Sequence, residues 1–278
     1  MHTNPTENVS LETIVLGRID ESFYQATAAV LTHVLNRLGH VVNVIDGTHT
    51  EVYNAIGEAK VDLCVAFWLP EGHAEAWRRL RENVEELSVL FYGAHFFWAV
   101  PEYVPVEAVQ SIGDLAKPEV VVRMPKTLRG LSLDATITTA SQKVLKEYEL
   151  DQQGYVLVPG SYADWKSSLI QAQAARNWTV IPLWQPYYFN QLYHLRPLDD
   201  PKHLLGGVNR AVLAAHRNVR KRLPTKTLEV LARMRLDITA VTDIDYSINM
   251  NGKTPEEAAE DWILSNTALV NAWFAGVR

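Results

Sequence analysis

Three short apolar runs near the start of the chain, residues 13–16, 41–45 and 61–67, alternate with two stretches of helical pattern, and this alternation constrains the fold most. The first run reads as a buried strand ending at Gly17. A polar turn, Arg18-Ile19-Asp20-Glu21, leads into a helix over about residues 22–38, on which Tyr24, Ala28, Leu31, Val34, Leu35 and Leu38 recur near helical spacing. Gly39 then caps that helix. With a short helix over residues 51–59, the opening is β-α-β-α-β, which implies a mainly parallel sheet with right-handed crossovers. In such sheets ligands sit beyond the carboxyl ends of the strands, where Gly17 and Trp68 both fall.

Two strand ends share a motif. Trp68-Leu69-Pro70 closes the apolar run at 63–67, and Trp184-Gln185-Pro186-Tyr187-Tyr188 closes a second run at 179–183. A strand end that carries Trp and is bent by Pro puts a flat aromatic face at the rim of a sheet. Two such rims, distant in sequence, point to a cleft with facing aromatic walls. Aromatic faces carry negative potential, so a cage of them suits a cation that cannot donate hydrogen bonds, such as a quaternary ammonium.

Between and after these motifs the pattern continues. Residues 71–87 read as a polar helix, followed by an aromatic segment at 91–98. Pro101 and Pro105 lie in an extended run just beyond, which favours a strand that leaves one sheet and crosses to another, since proline cannot donate to a ladder. The middle of the chain predicts a strand at 120–123, a helix at 136–147, a strand at 155–158, a helix at 161–175 and a strand at 179–183. Asp199-Asp200-Pro201 marks the return crossing, after which helices are expected over 209–222, 225–235 and from Thr254 onward. Thr254 suits an N-cap, Pro255 the first helical position, and Glu256 and Glu257 the positive end of the dipole.

Several function classes lack support. A net charge of -6 argues against general nucleic-acid binding, and the basic stretch Arg217 to Arg222 reads as a solvated helix end. Cys64 is the only cysteine, which excludes an internal disulfide and a cysteine-cluster zinc site and leaves a small core residue in an apolar run. No apolar run approaches the roughly 18 residues a membrane span needs. The first ten residues lack the apolar centre of a secretory signal, so an extracytoplasmic, periplasmic place is expected if a leader was removed, and a cytoplasmic one if the chain is complete as given. Phosphate-loop, zinc-protease, nucleophile-elbow and dinucleotide-fold signatures are missing, and the nine histidines show no ligand spacing, so no metal, cofactor or catalytic residue is assigned. Asp20, Glu21, Asp134 and Asp164 are carboxylates without an evident partner.

On these segments the chain resembles the substrate-binding proteins of ABC transporters for glycine betaine, choline and related osmoprotectants. The resemblance rests on the first strand to Gly17, Val61-Asp62-Leu63 through Trp68-Leu69-Pro70, Val100-Pro101-Glu102-Tyr103-Val104 and Lys146-Glu147-Tyr148-Glu149-Leu150. It continues through Ile181-Pro182-Leu183-Trp184-Gln185-Pro186, Leu198-Asp199-Asp200-Pro201-Lys202 and Ala258-Ala259-Glu260-Asp261-Trp262-Ile263. It implies an α/β, two-lobed periplasmic-binding-protein fold of type II, with two crossing strands and a cleft between lobes that close on the ligand. Lobe one would comprise residues 1–100 and 192–278, and lobe two residues 101–191. Trp68 and Trp184 would face each other across the cleft. The implied partners are a small quaternary-ammonium ligand and a transporter permease, with a monomeric chain. If the ligand bears a carboxylate, the turn after Gly17 offers backbone N–H groups at a helix start, with Arg18 and Asp20 beside it. The chain departs from the family where Tyr187 and Tyr188 stand in place of a usual His, and where residues 129–134 offer no cage Trp; Trp98, Trp165 and the two tyrosines are candidate replacements. Glycine betaine, choline, carnitine and other betaines all remain open as ligands. The alternative is an enzyme or sensor that keeps the fold and acts on a small amine in the cytoplasm.

Overall fold

The computed structural model describes residues 13–133 and 135–277. The chain begins with β1 (Thr13–Ile19), α1 (Ser22–Arg37), β2 (Val41–Gly47), α2 (His49–Gly57), β3 (Leu63–Leu69), α3 (Ala74–Leu80) and the long β4 (Val84–Pro101). The middle holds α4 (Pro118–Arg123), β5 (Thr127–Arg129), α5 (Thr136–Glu147), β6 (Val156–Val158), α6 (Tyr162–Ala175), β7 (Ile181–Gln185), α7 (Phe189–Leu192) and β8 (Leu195–Pro197). The chain then closes with β9 (Asn209–His216), α8 (Arg217–Arg222), α9 (Thr225–Arg233), α10 (Ile238–Met250), α11 (Pro255–Ser265) and α12 (Thr267–Phe274).

The opening β-α-β-α-β forms as its pattern requires: β2, β1 and β3 are parallel neighbours. β3 is buried along its whole length because β1 flanks it on one side and β9 on the other, which is why its sequence is a continuous apolar run rather than an alternating one. The 18-residue β4 holds the fold together. Its first part runs antiparallel to β9, up to Ala94 opposite Asn209. From His95 onward it changes partner and pairs with β7 and β8. One strand therefore belongs to both halves of a two-lobed α/β fold, and the segment from β8 to β9 carries the chain back. A second, two-stranded parallel sheet, β5 with β6, lies in the half between.

Four local expectations are corrected. β1 runs two residues past Gly17, so that glycine lies inside a strand rather than in a turn. A Cβ there would stand 2.8 Å from Cγ1 of both Val52 and Val61, so close packing of α2 and of the segment leading into β3 against β1 requires the glycine. Residues 120–123 belong to a helix, not a strand, because Pro118 opens a helical turn ahead of the β-branched Val120-Val121-Val122. The helix at 71–87 shrinks to α3, with β4 beginning at Val84. The largest difference is at residues 209–222. The Ala-rich run has helical propensity but forms the buried strand β9, because β3 and β4 present ladder edges on both sides that a helix would leave unsatisfied.

The basic stretch does form a short helix, and its cations pair locally: Arg217 and Arg220 with Glu85, and Arg222 with Asp62. Thr254 caps α11 as expected, in a reciprocal capping box with Glu257. No helix among the described residues is long and apolar enough to cross a membrane.

Candidate functional site: two aromatic walls

Trp68 is the penultimate residue of β3 and lies opposite Ala211 of β9. The chain turns back over it at once. Asn209 Oδ1 accepts from the backbone N–H groups of Glu71 and Gly72, 2.8 and 3.0 Å away, and a Cβ on Gly72 would stand 2.9 Å from Trp68 Cβ. His73 completes the turn. Its Nδ1 accepts the Trp68 backbone N–H at 2.8 Å and lies 2.8 Å from the Tyr53 hydroxyl, an arrangement that requires Nδ1 bare and the proton on Nε2. Burial, with His49 nearby, holds His73 well below the ordinary imidazole range, so it stays neutral and keeps this role. The Trp68 indole packs 5.2 Å from Phe96, 5.7 Å from Phe23, 5.8 Å from His73 and 6.1 Å from Tyr24, centroid to centroid. It is only 1% exposed, and its Nε1–H has no hydrogen-bond partner.

Trp184 occupies the equivalent position on β7. As at Leu69-Pro70, the following X-Pro bond, Gln185-Pro186, is cis. Asn190 donates to the Trp184 carbonyl at 3.0 Å and ties the turn to α7. The Trp184 ring packs 4.7 Å from Tyr187 and 5.1 Å from Trp165, and Phe189 and Tyr188 extend the cluster. The Tyr187 hydroxyl is hydrogen-bonded to that of Tyr162 on α6. Trp184 is 2% exposed, and its Nε1–H is again without a partner.

Phe96 joins the two walls. It lies directly opposite Trp184 in the β4–β7 ladder, so both side chains project from the same face, while its ring contacts Trp68. Phe96 sits where β4 has just changed partner, so the continuous strand brings together residues 116 positions apart (184 − 68). The indoles themselves do not touch. The second wall is also pinned to the C-terminal helices. The Tyr188 backbone N–H donates to Asp245 Oδ2 at 2.7 Å, and Gln191 donates to Asp243 at 2.5 Å. Asn249 donates to Asp245 and to Ser22 Oγ, each at 2.9 Å, which extends the chain of bonds to the start of α1. Burial pushes the Asp245 carboxyl up to about 6 despite these donors.

Glu21 is the N-cap residue of α1 and makes no side-chain capping bond. Its carboxylate lies 3.7 Å from His49 Nδ1. Burial first, then the charges of Asp245 and Asp20, push it up to about 8.

The structure distributes the sequence-derived candidates unevenly. Trp68, Trp184, Tyr187, Tyr188 and Trp165 all join the two walls. Trp165 does so as backing for Trp184, with its Nε1–H donated to the Pro182 carbonyl at 3.1 Å. Trp98 lies apart: it is fully buried, and its Nε1–H donates to Ser141 at 2.8 Å. Arg18 is bidentate to Asp46, at 2.6 and 2.9 Å, and reaches Glu256 at 3.4 Å, so its charge is already matched on the outer side of β1. Asp20 is exposed and accepts from Gln25 at 3.0 Å. Asp134 lies outside the described residues. Phe23, Tyr24, His73, Phe96, Tyr162 and Asp245 were not foreseen. A helical aromatic pair such as Phe23-Tyr24 reads as core, and Asp245 belongs to α10, which was not anticipated at all. A surface groove of about 420 Å³ lies behind the second wall, lined in part by Trp165, Arg129 and Trp178, and another of about 420 Å³ lies between α10 and α11; neither is lined by Trp68, Phe96 or Trp184.

A family model described as the substrate binding domain of ABC-type glycine betaine transport systems matches residues 12–265. The chain belongs to this family. Within it, a glycine betaine/carnitine transport binding protein of Listeria monocytogenes is 28% identical over 163 residues. That match covers 59% of this chain and 54% of the relative, so the chain spans about half the length of the curated relative it matches. Among solved structures, the lactococcal substrate-binding domain in its closed form with glycine betaine superposes with a TM-score of 0.83 at 27% identity, over 95% of this chain and 99% of that one. A choline binding protein of an ABC transporter, in complex with choline, gives a TM-score of 0.81 at 18% identity, over 95% and 92%. The chain therefore has the two-lobed, type II periplasmic-binding-protein fold of these family members.

Proposed function

We propose that this domain captures a small quaternary-ammonium compound between its aromatic walls and hands it to the permease of an ABC importer. The relatives bind glycine betaine, carnitine or choline, and the arrangement around Phe96 carries the reading to this chain. Two buried indoles from opposite halves converge there, Trp68 against Phe96 and Trp184 across the ladder from it. A trimethylammonium group cannot be hydrogen-bonded and is costly to desolvate. Aromatic faces offset that cost by about 0.5–2 kcal/mol each, most where water is excluded. The two unpartnered indole N–H groups are donors available to an oxygen at the ligand's other end. In this reading residues up to 100 and after 191 form lobe one, residues 101–191 form lobe two, the protein works outside the cytoplasm, and it acts as a receptor rather than an enzyme.

The test is a calorimetric or intrinsic-fluorescence titration of the purified chain with choline, glycine betaine and carnitine. Saturable binding of at least one is expected, and no response to any at millimolar concentration overturns the reading.

A further inference from the structure

We infer that Glu21 is a specificity-determining residue of this cleft: its carboxylate is the counter-charge to the ligand's cationic head, and it selects a cation without a carboxylate, of the choline type, over a zwitterion of the betaine type. This rests on the function proposed above and narrows it.

Position is the first argument. Glu21 directly precedes α1, whose Phe23 and Tyr24 stack beside Trp68. Its carboxylate lies 3.7 Å from His49, whose ring packs against Tyr24 and His73 of the first wall, and the next residue, Ser22, is tied through Asn249 and Asp245 to Tyr188 of the second, so Glu21 sits at the junction of the two walls. Its side chain is 28% exposed, whereas Trp68 and Trp184 are sealed.

The second argument is the charge that surrounds it. A carboxylate-bearing ligand would dock most naturally on the free N–H groups at the start of a helix. At α1 that place holds Glu21, with Asp20 and Asp245 close enough to raise it further. Arg18, the cation nearest in sequence, is taken by Asp46 and Glu256. The Lys166 ammonium, on α6, sits 5.6 Å above the Tyr188 ring on the second wall. A second carboxylate brought here adds a like charge to a site that already holds its own acids, whereas a quaternary cation relieves them.

The titratable groups facing Glu21 are His49 and Tyr53 from α2, Tyr24 from α1, Asp20 from the end of β1, Asp245 from α10 and Tyr162 from α6, with His73 behind His49. The tyrosines and His73 stay neutral near neutrality. Burial keeps Glu21 largely protonated at pH 7, so a bound cation draws its proton off and affinity rises with pH.

The experiment is calorimetry on the full chain and on Glu21→Gln, with choline and glycine betaine, at about pH 6 and about pH 8. The wild type should bind choline at least ~10-fold more tightly than glycine betaine at the higher pH, with choline affinity changing by up to ~10-fold per pH unit. Glu21→Gln should weaken choline by ~10-fold, flatten the pH dependence, and leave glycine betaine unchanged or improved. Should Glu21→Gln fold poorly, the wild-type ligand preference and pH profile decide. Preference for glycine betaine over choline, or a choline affinity independent of pH, overturns this inference and leaves the proposed function standing. Binding of neither overturns both.

Discussion

The two strand-end indoles admit a test that separates a ligand-facing ring from a core plug. In Trp68→Phe and Trp184→Phe the ring is kept but the stronger quadrupole of indole is lost. Each should remove about 1 kcal/mol of cation–π attraction, a ~5-fold rise in Kd, and the pair together ~25-fold, since both rings face one cation. The stability cost differs in kind from that of an ordinary buried Trp. Both Nε1–H groups are unpartnered, so no protein hydrogen bond is broken, and each change costs about 1–3 kcal/mol from packing. Trp98→Phe is the internal control. It strands the buried Ser141 hydroxyl, adding about 1–3 kcal/mol, yet should leave Kd within about 2-fold because Trp98 lies outside both walls. Calorimetry with the ligand found to bind, beside thermal melts of the same samples, measures both quantities. If Trp68→Phe and Trp184→Phe lower the melting temperature without raising Kd, or if Trp98→Phe raises Kd as they do, the indoles are packing residues and the placement of the cleft at Phe96 is wrong.

Other outcomes follow from the same contacts. Asp245→Ala takes the acceptor from the buried Tyr188 N–H and from Asn249, so a loss of about 2 kcal/mol, or about 4–8 °C in melting temperature, is expected by scanning fluorimetry; an unchanged melt would refute the role of this link. His73→Ala removes the shared acceptor of the Trp68 N–H and the Tyr53 hydroxyl; it should weaken ligand binding ~10-fold through loosening of Trp68, read by titration against His73→Gln, which can restore an acceptor. Gly17→Ala drives a methyl into Val52 and Val61 and should destabilise by about 1–3 kcal/mol with Kd unchanged, measured by denaturant unfolding. The folded chain holds the Glu21 proton up to about pH 8 while the unfolded chain releases it near the ordinary carboxyl value. That group's contribution to stability is therefore lost as pH rises from about 4.5 through about 8, and Glu21→Gln should gain on the wild type in melts at the alkaline end of that window and not at the acid end.

The sequence by itself determined what local pattern can determine. Strand-length apolar runs between helical stretches were enough to read the parallel start of the sheet, and Thr254-Pro255-Glu256-Glu257 marked the start of α11 with its capping box. Both Trp-x-Pro strand ends were legible because Trp and Pro at the close of an apolar run have few other uses. Tertiary structure decided the rest. Residues 209–216 carry helical propensity and became the central strand β9 because two ladders needed pairing, which no local signal reveals. Phe96 looked like any ring in an aromatic segment until β4 changed partner beside it, and Trp98, two residues on, was drawn inward by Ser141. Glu21 read as one acid in a polar turn, and Asp245 lay in a helix that was not foreseen. Both proton affinities are raised by burial, and that of Glu21 also by the charge of Asp245 across more than two hundred residues of chain, a distance that a sequence preserves and only folding removes.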